Sequence, residues 1–169
     1  MMQILGAVLV AGCGIWFGNR QARQLSRRVQ VLEGLKAALE QVKRELELRG
    51  IPLPRLFREL SKEVPWPADA LFSACAISLE RDAPEGLAQV WTSLTGQIPH
   101  LTEEERRLLA SLGQVLGRYP GPAQGEAIVQ VCHALEPHIE AAQSDSRRLG
   151  RVYRAVGAAG GGFLVILLL

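Results

Sequence analysis

Residues 20–49 read RQARQLSRRVQVLEGLKAALEQVKRELELR, and within them Leu25, Val29, Leu32, Leu35, Leu39, Val42 and Leu46 recur at spacings of 4, 3, 3, 4, 3 and 4. A repeat near 3.5 residues is one apolar face of an α-helix, and here Arg, Lys, Glu and Gln fill the remaining surface. Gly50 supplies a left-handed stop after the last repeat, and Pro52 and Pro54 restart the chain as the opening of another helix. Gly34 leaves room for a bend inside the stripe.

The same period continues downstream. Leu53, Leu56, Phe57, Leu60 and Val64 predict a short second helix closed by Pro65-Trp66-Pro67; Leu71, Phe72, Cys75 and Leu79 predict a third, and Leu87, Val90, Trp91 and Leu94 a fourth. Thr102-Glu103-Glu104-Glu105 fits a capping box, in which the threonine accepts from the third amide and Glu105 reaches back. The helix it opens carries Leu108, Leu109, Leu112, Val115 and Leu116 before Gly117 and the Pro120-Gly121-Pro122 turn. Ile128, Val131, Leu135, Ile139 and Ala142 form a last long stripe, with a kink allowed at Pro137. No window alternates as a strand would, so the class is all-α: two long helices holding four shorter ones.

Outward from this middle the composition changes abruptly. All 19 basic and 17 acidic side chains lie between Arg20 and Arg154, leaving residues 1–19 and 155–169 without charge. The first of these, MMQILGAVLVAGCGIWFGN, rises about 28 Å as a helix, close to the ~30 Å hydrocarbon core of a bilayer. The second, AVGAAGGGFLVILLL, rises about 22 Å and needs Tyr153 and Arg154 at the interface to span. The expected organisation is a transmembrane helix at 1–19, a cytosolic helical domain at 20–151 and a second transmembrane helix at 152–169. A signal peptide would carry its basic residues ahead of the apolar run, whereas here they follow it. A lipid-modified Cys13 would need the run to break there, yet Ile15, Trp16 and Phe17 continue it. A buried core helix stays open as an alternative for this segment.

Arg20, Arg23, Arg27 and Arg28 follow the first apolar end, and Arg147, Arg148, Arg151 and Arg154 precede the second. Under the positive-inside rule both clusters belong on the cytosolic face. Cys13, Cys75 and Cys132 show no regular spacing and suit a reducing compartment rather than a disulfide framework. Gly14 and Gly18, like Gly157 and Gly161, are four apart, a spacing that lets membrane helices approach closely.

The function classes thin out quickly. A net charge of +2 gives no field that would concentrate nucleic acid. No glycine-rich loop ends in Lys-Ser or Lys-Thr, so nucleotide hydrolysis has no phosphate cradle. Cys132, His133 and His138 are spaced by one and five, which does not align ligands on one helix face, and no second cluster completes a metal site. No serine sits in a nucleophile elbow, and the acidic triplet is explained by the helix dipole. The expectation is no enzyme, no cofactor, no metal and no small-molecule substrate. Glu45, Glu47 and Arg49 at the end of the first long helix are candidate docking charges.

The N-terminal apolar helix, LEGLKAALEQVKRELELRGIPLPRLFREL at 32–60, LGQVLG at 112–117 and RAVGAAGGGFLVILLL at 154–169 together resemble the stage III sporulation protein AB family over nearly the whole length. The family's pattern of Glu, an aliphatic residue, a tyrosine two on and then Pro-Leu falls on Glu45, Leu46, Leu48, Pro52 and Leu53. Leu48 replaces the usual aromatic residue and Ile51 the usual Thr. Gly113, Gly117 and Gln124 match a second region, where Pro120 stands in place of a common acidic residue. The resemblance implies a membrane protein of endospore-forming bacteria, in the mother-cell membrane around the forespore. There it would belong to a transport or feeding-channel complex and meet a cytosolic secretion-type ATPase and other channel subunits. The family is similar to platform protein F of type II secretion machines. A membrane-tethered helical regulator unrelated to transport fits the same residues, as does a soluble protein whose ends form a core hairpin.

Overall fold

The computed structural model describes the backbone of residues 2–81 and 86–168 and the side chains of 23–48, 50–81, 86–152, 155–156 and 159. The elements are α1 (Met2–Arg49), α2 (Leu53–Leu60), α3 (Ala68–Glu80), α4 (Gly86–Gln97), α5 (Glu103–Ser111), a 3-10 turn (Leu112–Gln114) and α6 (Gly121–Leu168). The described residues contain no strand, and α1 and α6 are the two long helices at 48 residues each. Two compact units result: unit 1 joins Met1–Val29 to Glu140–Leu169, and unit 2 is Gln30–Ile139.

Stops and starts follow local chemistry. α1 runs through Gly34 and ends at Gly50, which sits at φ 55° where a side chain would be strained. Pro52 then opens α2, its carbonyl accepting from the Leu56 amide at 3.0 Å. The capping box before α5 is formed on both sides: Thr102 Oγ1 accepts from the Glu105 amide at 3.3 Å, and the Thr102 amide donates to Glu105 Oε2 at 2.7 Å. Pro122 lies in the first turn of α6, where its missing N–H costs nothing, and the helix continues through Pro137.

Two boundaries differ from the periodicity. α2 ends at Leu60 rather than reaching Val64, whose amide donates to the Leu60 carbonyl in the turn that leads to Pro65. The stripe opened by Thr102 predicts one helix to Leu116, yet the chain leaves α-geometry at Leu112 and tightens into the 3-10 turn. Contact with α4 accounts for this. A Cβ at Gly113 would lie 3.0 Å from Trp91 Cδ1 and 3.1 Å from the Ala88 carbonyl oxygen, so this turn is pressed directly onto α4.

Unit 2 holds the core. On α1, Val31, Leu32, Leu35, Ala38, Leu39, Val42 and Leu46 are buried, so Val31 and Ala38 widen the stripe that the seven spaced residues define. α3 packs between α2 and α4, and α4 packs on α5 and the 3-10 turn. Phe57, Phe72 and Trp91, one from each of α2, α3 and α4, stack with centroids 5.1, 6.2 and 6.4 Å apart. Trp91 is fully buried, and its indole N–H donates to the Leu109 carbonyl at 2.7 Å, which satisfies the ring's polar atom inside the core.

In unit 1 the hydroxyls of Ser26 on α1 and Ser146 on α6 lie 3.2 Å apart. Gly150 is buried, whereas Leu149, Val152 and Val156 are exposed. No helix among the described residues is long and apolar enough to cross a membrane. The segments expected to do so, 1–19 and 152–169, fall mostly on residues whose side chains lie outside the described ones. The side chains of Arg20 and Arg154 and the expected packing faces at Gly14, Gly18, Gly157 and Gly161 lie outside them too.

Candidate functional site

The two motif regions of the sequence, around residues 45–53 and 113–124, meet at one corner of unit 2, where α1 ends and α6 begins. A Cβ built on Gly121 would lie 4.0 Å from the Leu46 carbonyl oxygen, and one on Gly125 would lie 3.2 Å from Glu47 Oε1 and 3.6 Å from Lys43 Cγ. These two glycines, four residues apart on α6, let the long helices close on each other. Their spacing in the sequence is the same as that of the glycine pairs in the apolar ends, so spacing alone does not single them out.

Each motif residue has a place in this corner. Leu53 is buried, Pro52 is exposed at the start of α2 and Glu45 is half-buried. Gly117 adopts φ 76°, with Leu87 Cδ2 only 3.2 Å from where a Cβ would be, so it is required both for its turn and for contact with α4. Gln124 is buried and spans that turn: its Oε1 accepts from the Gly117 amide at 3.3 Å and its Nε2 donates to the Tyr119 carbonyl. Gly113, Gly117 and Gln124 therefore build the seam between α4, the 3-10 turn and α6. They hold the turn that leads into α6.

The surface of this corner is apolar in an unusual way. Leu48 is 79% exposed and Tyr119 51% exposed, the first two residues beyond Leu46 and the second two before Gly121. Between α1 and α6 runs an open groove of about 540 Å³ lined by Lys43, Leu46, Glu47, Pro122, Glu126 and Val129. A second hollow of about 340 Å³ shares Lys43 and Val129 and extends along the same two helices to Lys36, Glu40 and Glu136. Among the candidate docking charges, Glu47 lines the groove within 3.7 Å of Lys43, and the side chain of Arg49 lies outside the described residues.

Electrostatics favour a fixed frame. Lys36 Nζ donates to Glu136 Oε1 at 2.8 Å across the helices. This bond raises the Lys36 pKa above its ordinary value and lowers that of Glu136. Burial pushes the Cys75 thiol up to about 12 and, with Glu40 adding to it, the Cys132 thiol up to about 11, so neither is a nucleophile near neutrality. His133 is exposed and His138 half-buried, and no group of three or more ligating side chains among the described residues could hold a metal.

One buried charge was not legible beforehand. Glu105, the capping residue, is fully buried, and its Oε1 lies 3.8 Å from His138 Nδ1 on α6. The capping signature assigns its local bond and says nothing of the helix above it.

The family model described as Stage III sporulation protein AB matches residues 3–169. The chain is 24% identical over 180 residues to the Stage III sporulation protein AB of Bacillus subtilis (strain 168), covering 100% of both chains. No solved structure matches it.

Proposed function

The chain belongs to the Stage III sporulation protein AB family, and from that premise we propose that it is a non-enzymatic membrane adaptor of a transport complex in endospore formation. The apolar ends anchor it in the mother-cell membrane around the forespore and meet other channel subunits. The helical unit 2 faces the cytosol and receives a secretion-type ATPase. The two basic clusters beside the uncharged ends support this orientation.

The observation that carries the docking role is the corner where both motif regions meet. It exposes Leu48 and Tyr119 beside a groove whose rim bears both signs of charge. Large apolar side chains left in water next to an open groove are what a protein interface buries at its centre. The motif residues around them hold the backbone still, so little ordering is needed on binding.

Leu48→Asp tests this. The substitution places a charge on a side chain that makes little contact in the folded chain, so the thermal midpoint should stay within about 2 °C. Capture of the partner ATPase by the full-length detergent-solubilised protein should fall at least tenfold, a loss of about 1.4 kcal/mol. Undiminished capture by this variant removes the corner as the docking surface.

A further inference from the structure

Unit 1 contains eight arginines and only two acids, Glu140 and Asp145. The arginines come from opposite ends of the chain, and the tertiary structure brings them to one level. Ser26 and Ser146 touch at 3.2 Å, and the exposed Arg23, Arg27, Arg147, Arg148 and Arg151 all lie within five residues of one or the other. Five residues of helix rise about 7.5 Å, the scale of one headgroup layer beside a ~30 Å hydrocarbon core. Asp145 is exposed within the same stretch and is the single carboxylate there.

The arginines do not stand on an ordinary soluble surface. Leu149, Val152 and Val156 follow one another at i, i+3 and i+7 on α6, all exposed, with Arg148 and Arg151 interleaved. An apolar face with a basic margin is what a helix shows to the boundary between acyl chains and headgroups. Guanidinium groups also bind phosphate through two parallel N–H bonds.

We infer that this arginine band binds the headgroups of anionic phospholipids, so that the protein gathers acidic lipid around its anchor. The inference rests on the membrane reading above but adds a ligand class to it. A membrane anchor alone is indifferent to headgroup charge, whereas the band selects a negatively charged leaflet. Each arginine near such a surface is worth up to about a fivefold preference, falling as salt shortens the Debye length from about 8 Å at 0.15 M to 3 Å at 1 M.

The test uses the full chain reconstituted in phosphatidylcholine vesicles containing a trace of spin-labelled lipid, either phosphatidylglycerol or phosphatidylcholine. Motionally restricted label reports lipid held against the protein. The expected result is an approximately fivefold excess of restricted phosphatidylglycerol in low salt, abolished in 1 M salt and by the combined R23Q, R27Q, R147Q and R148Q substitutions. The corresponding four lysine substitutions should retain most of it, since the charge remains. All four sites are exposed, and circular dichroism checks that helix content is kept.

Alkaline carbonate extraction of the same vesicles separates the two readings. Protein that stays in the membrane yet holds both lipids equally overturns the arginine band and leaves the anchor intact. Protein released by carbonate while preferring phosphatidylglycerol overturns the anchor and supports the band. Release without preference overturns both.

Discussion

Units 1 and 2 are built from the same kind of helix and carry opposite balances of charge. Unit 1 carries eight basic and two acidic residues; unit 2 carries 11 basic and 15 acidic ones. In unit 2 most large apolar side chains are buried around Phe57, Phe72 and Trp91, with Leu48 and Tyr119 among those left exposed, and the signs alternate closely enough to pair, as Lys36 does with Glu136 and Arg55 with Glu59. In unit 1 Ala142 is buried and Leu25 and Val29 are half-buried, Leu149, Val152 and Val156 are exposed, and the charges are nearly all positive. The overall charge of +2 conceals this, because the net +6 of one unit nearly cancels the net −4 of the other. The proposed membrane role of unit 1 rests on this excess of arginine beside exposed Leu149, Val152 and Val156.

The comparison breaks if the two units unfold as one. Trp91→Ala removes two ring contacts and the indole bond to the Leu109 carbonyl, so it should cost unit 2 about 4 kcal/mol by urea denaturation. Hydrogen exchange on the same variant should show lost protection confined to peptides within residues 30–139, while those from 140–152 keep theirs. Equal loss in both sets would mean a single cooperative body.

A smaller effect is expected at the seam that supports the docking corner. Gln124→Ala strands the Gly117 amide and the Tyr119 carbonyl, for a loss of about 1–2 kcal/mol. If the corner is the ATPase surface, capture should weaken in this variant too, and it should recover partly when the partner is added in excess and holds the loop in place.

The smallest effect concerns the paired charges of unit 2. Glu136 has its pKa lowered by the Lys36 hydrogen bond, so its contribution is present above the ordinary carboxylate value of 4.5 and fades as pH falls through the depressed one. Lys36 has its pKa raised by the same bond, so its contribution is present below 10.5 and fades as pH rises through the higher value. Both side chains are partly exposed, which keeps the gain small. Thermal melts of Lys36→Gln against the parent from pH 3 to 7 should converge at the acid end. A constant offset would assign the effect to packing instead of charge.

Much of this was legible in the chain. The spacing from Leu25 to Leu46, the stop at Gly50, the Thr102–Glu105 box and the long stripe from Ile128 onward each reflect forces acting within a few residues, and each reappears in the structure. The shortened α5 was not legible, because what ends it is Trp91 on another helix. Nor was the burial of Glu105, since a capping signature looks identical whether its outer face meets water or α6. The motif residues Gly113, Gly117 and Gln124 could be matched by pattern, but their shared task of closing one seam appears only once 113–124 and the end of α1 are side by side.

The sequence by itself determined that this protein is helical, where most of its helices start, and that its charge is confined between Arg20 and Arg154. Those properties follow from periodicity, caps and composition, whose physics is local. Only the tertiary structure decided that Gly121 and Gly125 lie against Leu46 and Glu47 some 75 positions away, and that arginines some 120 apart lie at one level beside Ser26 and Ser146. Such pairings depend on which helix faces bury each other, and helices of equal apolar pattern can satisfy that demand in several ways until glycine, aromatic and capping residues select one.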